Sequence, residues 1–128
     1  ISRTYDAIIC SAPLTKKTKK LFNLNFFKQM KKDSIFINVS RGGLVDINAL
    51  LKKDIITKLW GVGLDVTDPE PLKHSHPLRK KENVIITDHT AGLSDHNRSR
   101  SYELITINLK RFQKKERLFN QVDKLEGY

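Results

Sequence analysis

Arg41, Glu70 and His89 are the residues of this sequence whose types could do chemistry together. A fixed cation polarises a carbonyl oxygen and holds an anionic substrate. A histidine that titrates near neutrality delivers or removes a proton. A carboxylate orients that histidine. Together they make what the reduction of a polar carbonyl requires. Each also has a plain alternative. Arg41, ahead of Gly42-Gly43, could be a loop arginine. Glu70, between Pro69 and Pro71, could be a solvated turn residue. His89 could cap a helix or satisfy a loop carbonyl.

Other candidates are weaker. His74 and His76 form an HxH, but no third ligand of suitable spacing stands beside them, so an exposed loop is expected and no metal. His96 is expected on a helix surface. Cys10 is the single cysteine, so an internal disulfide is impossible, and its apolar run Ala7-Ile8-Ile9-Cys10 reads as core. Gly61-Val62-Gly63 begins like a dinucleotide fingerprint, but the third glycine position is Val66 and no helix follows, so it fails the context test.

The three residues follow short apolar runs that read as strands, at 6–10, 34–39, 60–66 and 83–87. These runs are rich in Ile and Val and apolar on both faces, the pattern of parallel strands covered on both sides. Between them, Asn25 is placed to cap a short helix with Phe26, Phe27 and Met30 on one face. Asp46 is placed to cap another, with Ile47, Leu50 and Leu51 inward, and Thr15 a first turn, with Lys16 and Lys17 poorly placed for the helix dipole. A last helix is expected over 94–115, where Tyr102, Ile105, Leu109 and Phe112 make one apolar stripe. The tail after it is irregular, with Leu118, Phe119, Val122 and Leu125 as anchors. The order β-α-β-α-β-β is α/β, a partial doubly wound parallel sheet of about four strands with flanking helices. In such a sheet, ligands bind beyond the carboxyl ends of the strands, where Arg41, Glu70 and His89 fall.

The 128 residues suit one domain, and 38% hydrophobic with 30% charged residues suits a globular chain. No stretch approaches the roughly 20 apolar residues of a spanning helix, and no signal or transit pattern is visible. The net charge of +10 raises the question of nucleic acid. Yet 17 of the 24 basic residues are Lys, spread as pairs such as Lys16-Lys17, Lys52-Lys53 and Lys114-Lys115. Specific nucleic-acid sites lean on Arg forks and cluster their charge, so a solvated surface is the expectation.

The stretches SAPLTKKTKKLFN, FFKQMKKDSIFINVSRGGLVDINAL, GVGLDVTDPEPL, HPL, NVIITDHTAG and NQVDKLEGY run in the order seen in the D-isomer-specific 2-hydroxyacid dehydrogenases. The chain resembles the C-terminal part of that family over essentially its whole length. Its ending looks most like the glyoxylate/hydroxypyruvate reductase branch. The resemblance implies a Rossmann-like fold and an oxidoreductase using NAD or NADP on a small 2-oxo or D-2-hydroxy acid. It implies Arg41 as the residue holding the substrate carboxylate and carbonyl, His89 as general acid/base, and Glu70 as its partner. Pro13, Leu14, Val39, Ser40, Arg41, Asp65, His89 and Gly92 are implied along the cofactor, with Asp65 meeting the nicotinamide carboxamide. The chain departs from the family at Asp88, where a proline is usual before the histidine. It departs again at Lys16-Lys17 and at Thr67.

The resemblance also implies two regions. Residues 1–92 would be the second half of the nucleotide-binding domain, and 93–128 a helix and tail returning to a substrate domain. Because the family's Gly-rich loop has no counterpart here, a truncated chain is expected, inactive alone and prone to self-association through an open sheet edge. A cytoplasmic location and a homodimer in the full-length protein are expected, with no membrane partner and no specific nucleic acid. The competing readings are a corepressor-like sensor of the same fold and a nucleic-acid-binding fragment. Thr90-Ala91-Gly92 after the histidine, where corepressors carry an aromatic, favours the enzyme.

Overall fold

In a computed structural model, which describes residues 4–125 and 127, the chain divides into two compact units, Ile1–Ala91 and Gly92–Tyr128. The first holds four parallel strands: β1 (Ala7–Cys10), β2 (Ile35–Asn38), β3 (Gly61–Leu64) and β4 (Val84–Ile86). They lie side by side in sequence order, with β1 and β4 at the edges. All four fall inside the expected runs. Parallel pairing brings every carboxyl end to one edge of the sheet.

The register explains which residues form the core. Ile8, Phe36, Val62 and Val84 stand in one row, and Cys10, Asn38, Leu64 and Ile86 in the next on the same face. That face is packed by α1 (Leu24–Gln29), α2 (Ile47–Leu50) and α3 (Lys53–Ile56) through Phe27, Leu50, Ile55 and Ile56. Phe22, Phe26, Phe27 and Phe36 meet mostly edge to face, with Phe22 and Phe26 centroids 4.8 Å apart. Burial pushes the Cys10 thiol pKa up, so Cys10 stays protonated as a small core residue.

The opposite face corrects the expectation of a sheet covered on both sides. Ile9, Trp60 and Ile85 are exposed there, and a hollow of about 530 Å³ runs over Ile35, Ile37, Trp60 and Ile85. The helices of this unit pack on one face only, and a run such as IFIN looks the same whether one face is covered or two.

The caps follow local geometry. Asn23, not Asn25, caps α1, its side chain accepting from Phe26 N–H at 3.1 Å. The helix begins at Leu24, which puts Asn25 inside the first turn. Asp46 caps α2 as expected, accepting from Asn48 N–H. Thr15 accepts from the N–H groups of Lys17 and Thr18, but the segment stays a turn and no helix follows. The β3-to-β4 connection contains no α-helix. A 3₁₀ turn, Pro77–Lys80, stands there, and His76 Nδ1 caps it by accepting from Leu78 N–H.

In the second unit, α4 (Asn97–Gln113) is shorter than expected and has no buried residue. Tyr102, Ile105, Leu109 and Phe112 share a stripe that is exposed. His96 stands at its N-cap position without a side-chain bond. Asn108 exchanges hydrogen bonds with the backbone of Phe119, and Arg111 lies 4.6 Å from its ring. Phe119 therefore anchors the tail on α4, and Leu118 lines a hollow with Leu109 and Phe112 beside it. Val122 and Leu125, expected as further anchors, are exposed, beyond the backbone clip at Phe119. Among the described residues no helix is long and apolar enough to cross a membrane, and no group of three His, Cys, Asp or Glu could hold a metal.

Candidate active site

Each strand runs into a loop that carries candidate residues, and direct contacts tie the four loops into one edge. Ser40 Oγ donates to the Ala12 carbonyl, joining the loop after β2 to the loop after β1. Leu14 lies over Gly43 in the same seam. Asn38, fully buried at the end of β2, accepts from Ser40 N–H at 3.1 Å and donates to the Arg41 carbonyl at 2.9 Å. The turn that carries Arg41 is therefore built on a buried amide. Arg41 Nη1 donates to the Ser40 carbonyl at 2.7 Å, and the residue is otherwise exposed.

Gly42 then meets the third loop. A Cβ on Gly42 would stand 2.0 Å from the Thr67 carbonyl oxygen and 2.7 Å from Asp68 N. No side chain fits between these backbones, so the Arg41 loop rests directly on the segment that leads to Glu70. Thr67 Oγ1 donates to the Pro69 carbonyl, and both X-Pro bonds flanking Glu70 are cis.

Glu70 Oε1 and His89 Nδ1 are 2.7 Å apart. Both side chains are close to half exposed, 46% for His89 and 40% for Glu70. A pair so exposed contributes little to stability, about 0–1 kcal/mol. Its consequence is orientation. A carboxylate only accepts, so Nδ1 carries the proton and Nε2 is the nitrogen left for exchange with a substrate. A hollow of about 330 Å³, lined in part by Thr67, Glu70, Arg79, Asp88 and His89, opens beside the pair.

Asp65, the residue after β3, is buried and bound on both carboxylate oxygens. Thr87 Oγ1 and Thr90 N–H donate to Oδ1, and Ala91 N–H donates to Oδ2, the amides at 2.9 Å. The Thr87 hydroxyl, then the two amides and the nearby His89, hold its carboxyl below the usual carboxylate range against the opposing effect of burial. A depressed pKa contributes stability that is complete above the unfolded value of about 3.9 and is lost as pH falls through the lower folded value. Urea midpoints measured from pH 7 downward should therefore drop on the acid side below about pH 4. Asp65→Asn should lack that component. An identical acid limb in the variant would assign the loss to other carboxylates.

Pro13, Leu14, Val39, Ser40, Arg41, Glu70, Asp65 and His89 thus lie on four linked loops. Gly92 opens the second unit, where its carbonyl accepts from Asn97 Nδ2. The sequence reading missed Asn38 and Thr87. A polar residue at an inward position of an otherwise apolar strand was the available signal for Asn38. Thr87 ends its strand as Thr ends many, and carried none.

The D-isomer specific 2-hydroxyacid dehydrogenase, NAD binding domain, matches residues 1–91. The chain belongs to that family. Among curated dehydrogenase relatives, the human glyoxylate reductase/hydroxypyruvate reductase is 38% identical over 103 residues, 80% of this chain and 31% of that protein. A glyoxylate reductase of Pyrococcus horikoshii is 39% identical over 114 residues, 89% of this chain and 34% of that one. Among solved structures, a D-isomer specific 2-hydroxyacid dehydrogenase of Xanthobacter autotrophicus in complex with NADPH superposes with a TM-score of 0.89 at 31% identity. It covers 99% of this chain and 52% of that one. The chain therefore spans about a third of these curated relatives and about half of that structure's chain. The Rossmann-like parallel sheet expected from the sequence is the fold of this neighbour.

Proposed function

We propose that this chain carries the acid–base and substrate-holding residues of a dehydrogenase acting on a small 2-oxo acid such as glyoxylate or hydroxypyruvate. The 2.7 Å contact between His89 Nδ1 and Glu70 Oε1 carries the proposal. A structural histidine gains little from a half-exposed ion pair, whereas a proton donor gains a fixed ring and a defined free nitrogen. Arg41 stands on the adjoining loop, with most of its planar fork open to a carboxylate and the neighbouring carbonyl oxygen. Exposed Leu14 and Val39 supply apolar surface beside it, which suits a flat nicotinamide ring. A nicotinamide cofactor, when bound, supplies the hydride to the carbonyl carbon.

In this reading Arg41 holds the substrate and draws electron density onto its carbonyl oxygen. Protonated His89 gives the Nε2 proton to that oxygen as the bond to hydrogen forms at carbon. Glu70 keeps Nδ1–H directed and balances the imidazolium. The product is a 2-hydroxy acid. In the reverse direction His89 accepts the hydroxyl proton at Nε2.

Because the chain spans about a third of its curated relatives, the test uses a chimera. This chain replaces the matched third of the human relative, and NAD(P)H oxidation is followed with glyoxylate and hydroxypyruvate. Turnover that depends on Arg41, Glu70 and His89 supports the proposal. A folded chimera that binds cofactor but reduces neither acid overturns it.

A further inference from the structure

We infer that Asp65 is a positioning residue for His89, acting through the backbone of the loop. This rests on the reading of His89 as the proton donor and adds how that donor is held.

The loop in question runs from Thr87 to Ala91, with His89 in the middle. Asp65 grips it at four points. Its carbonyl accepts from His89 N–H at 2.8 Å. Its carboxylate accepts from Thr87 Oγ1 on one side of His89, and from the N–H groups of Thr90 and Ala91 on the other. The grip matters because His89 has φ of +56°, in the left-handed region. A non-glycine residue there costs on the order of 1 kcal/mol or more, and persists only when its surroundings fix it. Left free, residues 88–90 would relax toward an ordinary turn, and the ring would leave Glu70.

The choice of aspartate follows from the donors. Three of them converge on two oxygens, and a carboxylate is an acceptor at every lone pair. An asparagine keeps one oxygen but turns an NH₂ toward the Ala91 amide, donor against donor. Burial of Asp65 makes that mismatch costly. Glu70 reaches His89 from a loop braced by the Gly42 contact, whereas Asp65 is the first residue after β3.

The tautomer of His89 tests this without activity. The chain is labelled with ¹⁵N-histidine, His89→Gln assigns the signal, and long-range ¹H–¹⁵N spectra are taken along a pH series up to the plateau where the signals stop moving. In the wild type His89 should be mainly Nδ1–H, because Glu70 accepts that proton; free imidazole in water prefers Nε2–H. Asp65→Asn should lose the Nδ1–H form at His89 and leave the other three histidines unchanged. Glu70→Ala is the control that removes the acceptor itself. If Glu70→Ala loses the Nδ1–H form and folded Asp65→Asn keeps it, the positioning role is overturned while the His89–Glu70 pairing stands. If Glu70→Ala keeps the form, the pairing fails and the inference fails with it. If Asp65→Asn does not fold, Thr87→Val decides. It removes one of the four grips, so partial loss of the Nδ1–H form supports the inference and an unchanged tautomer overturns it.

Discussion

Replacing His89 with glutamine in the chimera should lower kcat for glyoxylate by about 10²- to 10⁴-fold, the usual worth of a positioned acid or base. KM should change far less. Substrate binding rests on Arg41, which stands on a different loop and bonds its own backbone at Ser40, so loss of the imidazole leaves it in place. Glu70→Gln should cost less than His89→Gln, since an amide oxygen can still accept from Nδ1–H. Arg41→Met should show the complementary pattern. KM rises because the carboxylate loses its fork, and kcat falls because the carbonyl loses its cation. Steady-state kinetics on the purified variants check the split. Turnover by His89→Gln within about threefold of the parent would place the proton donor elsewhere.

Gly42→Ala should destabilise the first unit by about 3 kcal/mol or more, beyond the usual range for an overpacked site. The added carbon would stand 2.0 Å from the Thr67 oxygen and 2.1 Å from its carbonyl carbon. Both obstacles are backbone, so no rotamer change relieves them. Either the Arg41 turn lifts or the Thr67–Asp68 strip retreats, and the second movement carries Glu70 away from His89. Gly43→Ala is the natural comparison. Its nearest obstacle is the Leu14 side chain at 3.0 Å, which can swing aside, so a loss of about 1 kcal/mol or less is expected. Urea midpoints of the two variants measure the contrast. Equal midpoints would show that the loops do not meet as described.

The sequence was most legible where one local rule acted alone. The four strands stood out because Ile and Val runs of the right length lay between polar turns. Asp46 capped the helix it preceded. Arg41, Glu70 and His89 were visible because the residue after a parallel strand lies where ligands bind, and the structure links their loops. The reading failed where two rules competed or where an absent partner decided. Asn23 and Asn25 are both good caps, and only the position of the first turn separates them. The apolar stripe of α4 reads as core at helical spacing, yet its residues are exposed. Thr15 had the chemistry of a cap, but four of the next five residues are Lys, whose charge opposes the dipole at a helix N-terminus. The three bonds from the His89 loop to the Asp65 carboxylate went unread because no spacing rule supplies them.

The uncovered sheet face has an optical consequence. Trp60 is the only tryptophan of the chain and stands on the rim of that face, 69% exposed. Its emission therefore samples a single place. As described, the chain should fluoresce at the red wavelengths of a hydrated indole. Any molecule or chain segment that comes to rest on Ile37 and Ile85 will turn that emission blue. Titrating the colour of one ring thus reads the state of this surface, with no label to attach and no second tryptophan to subtract.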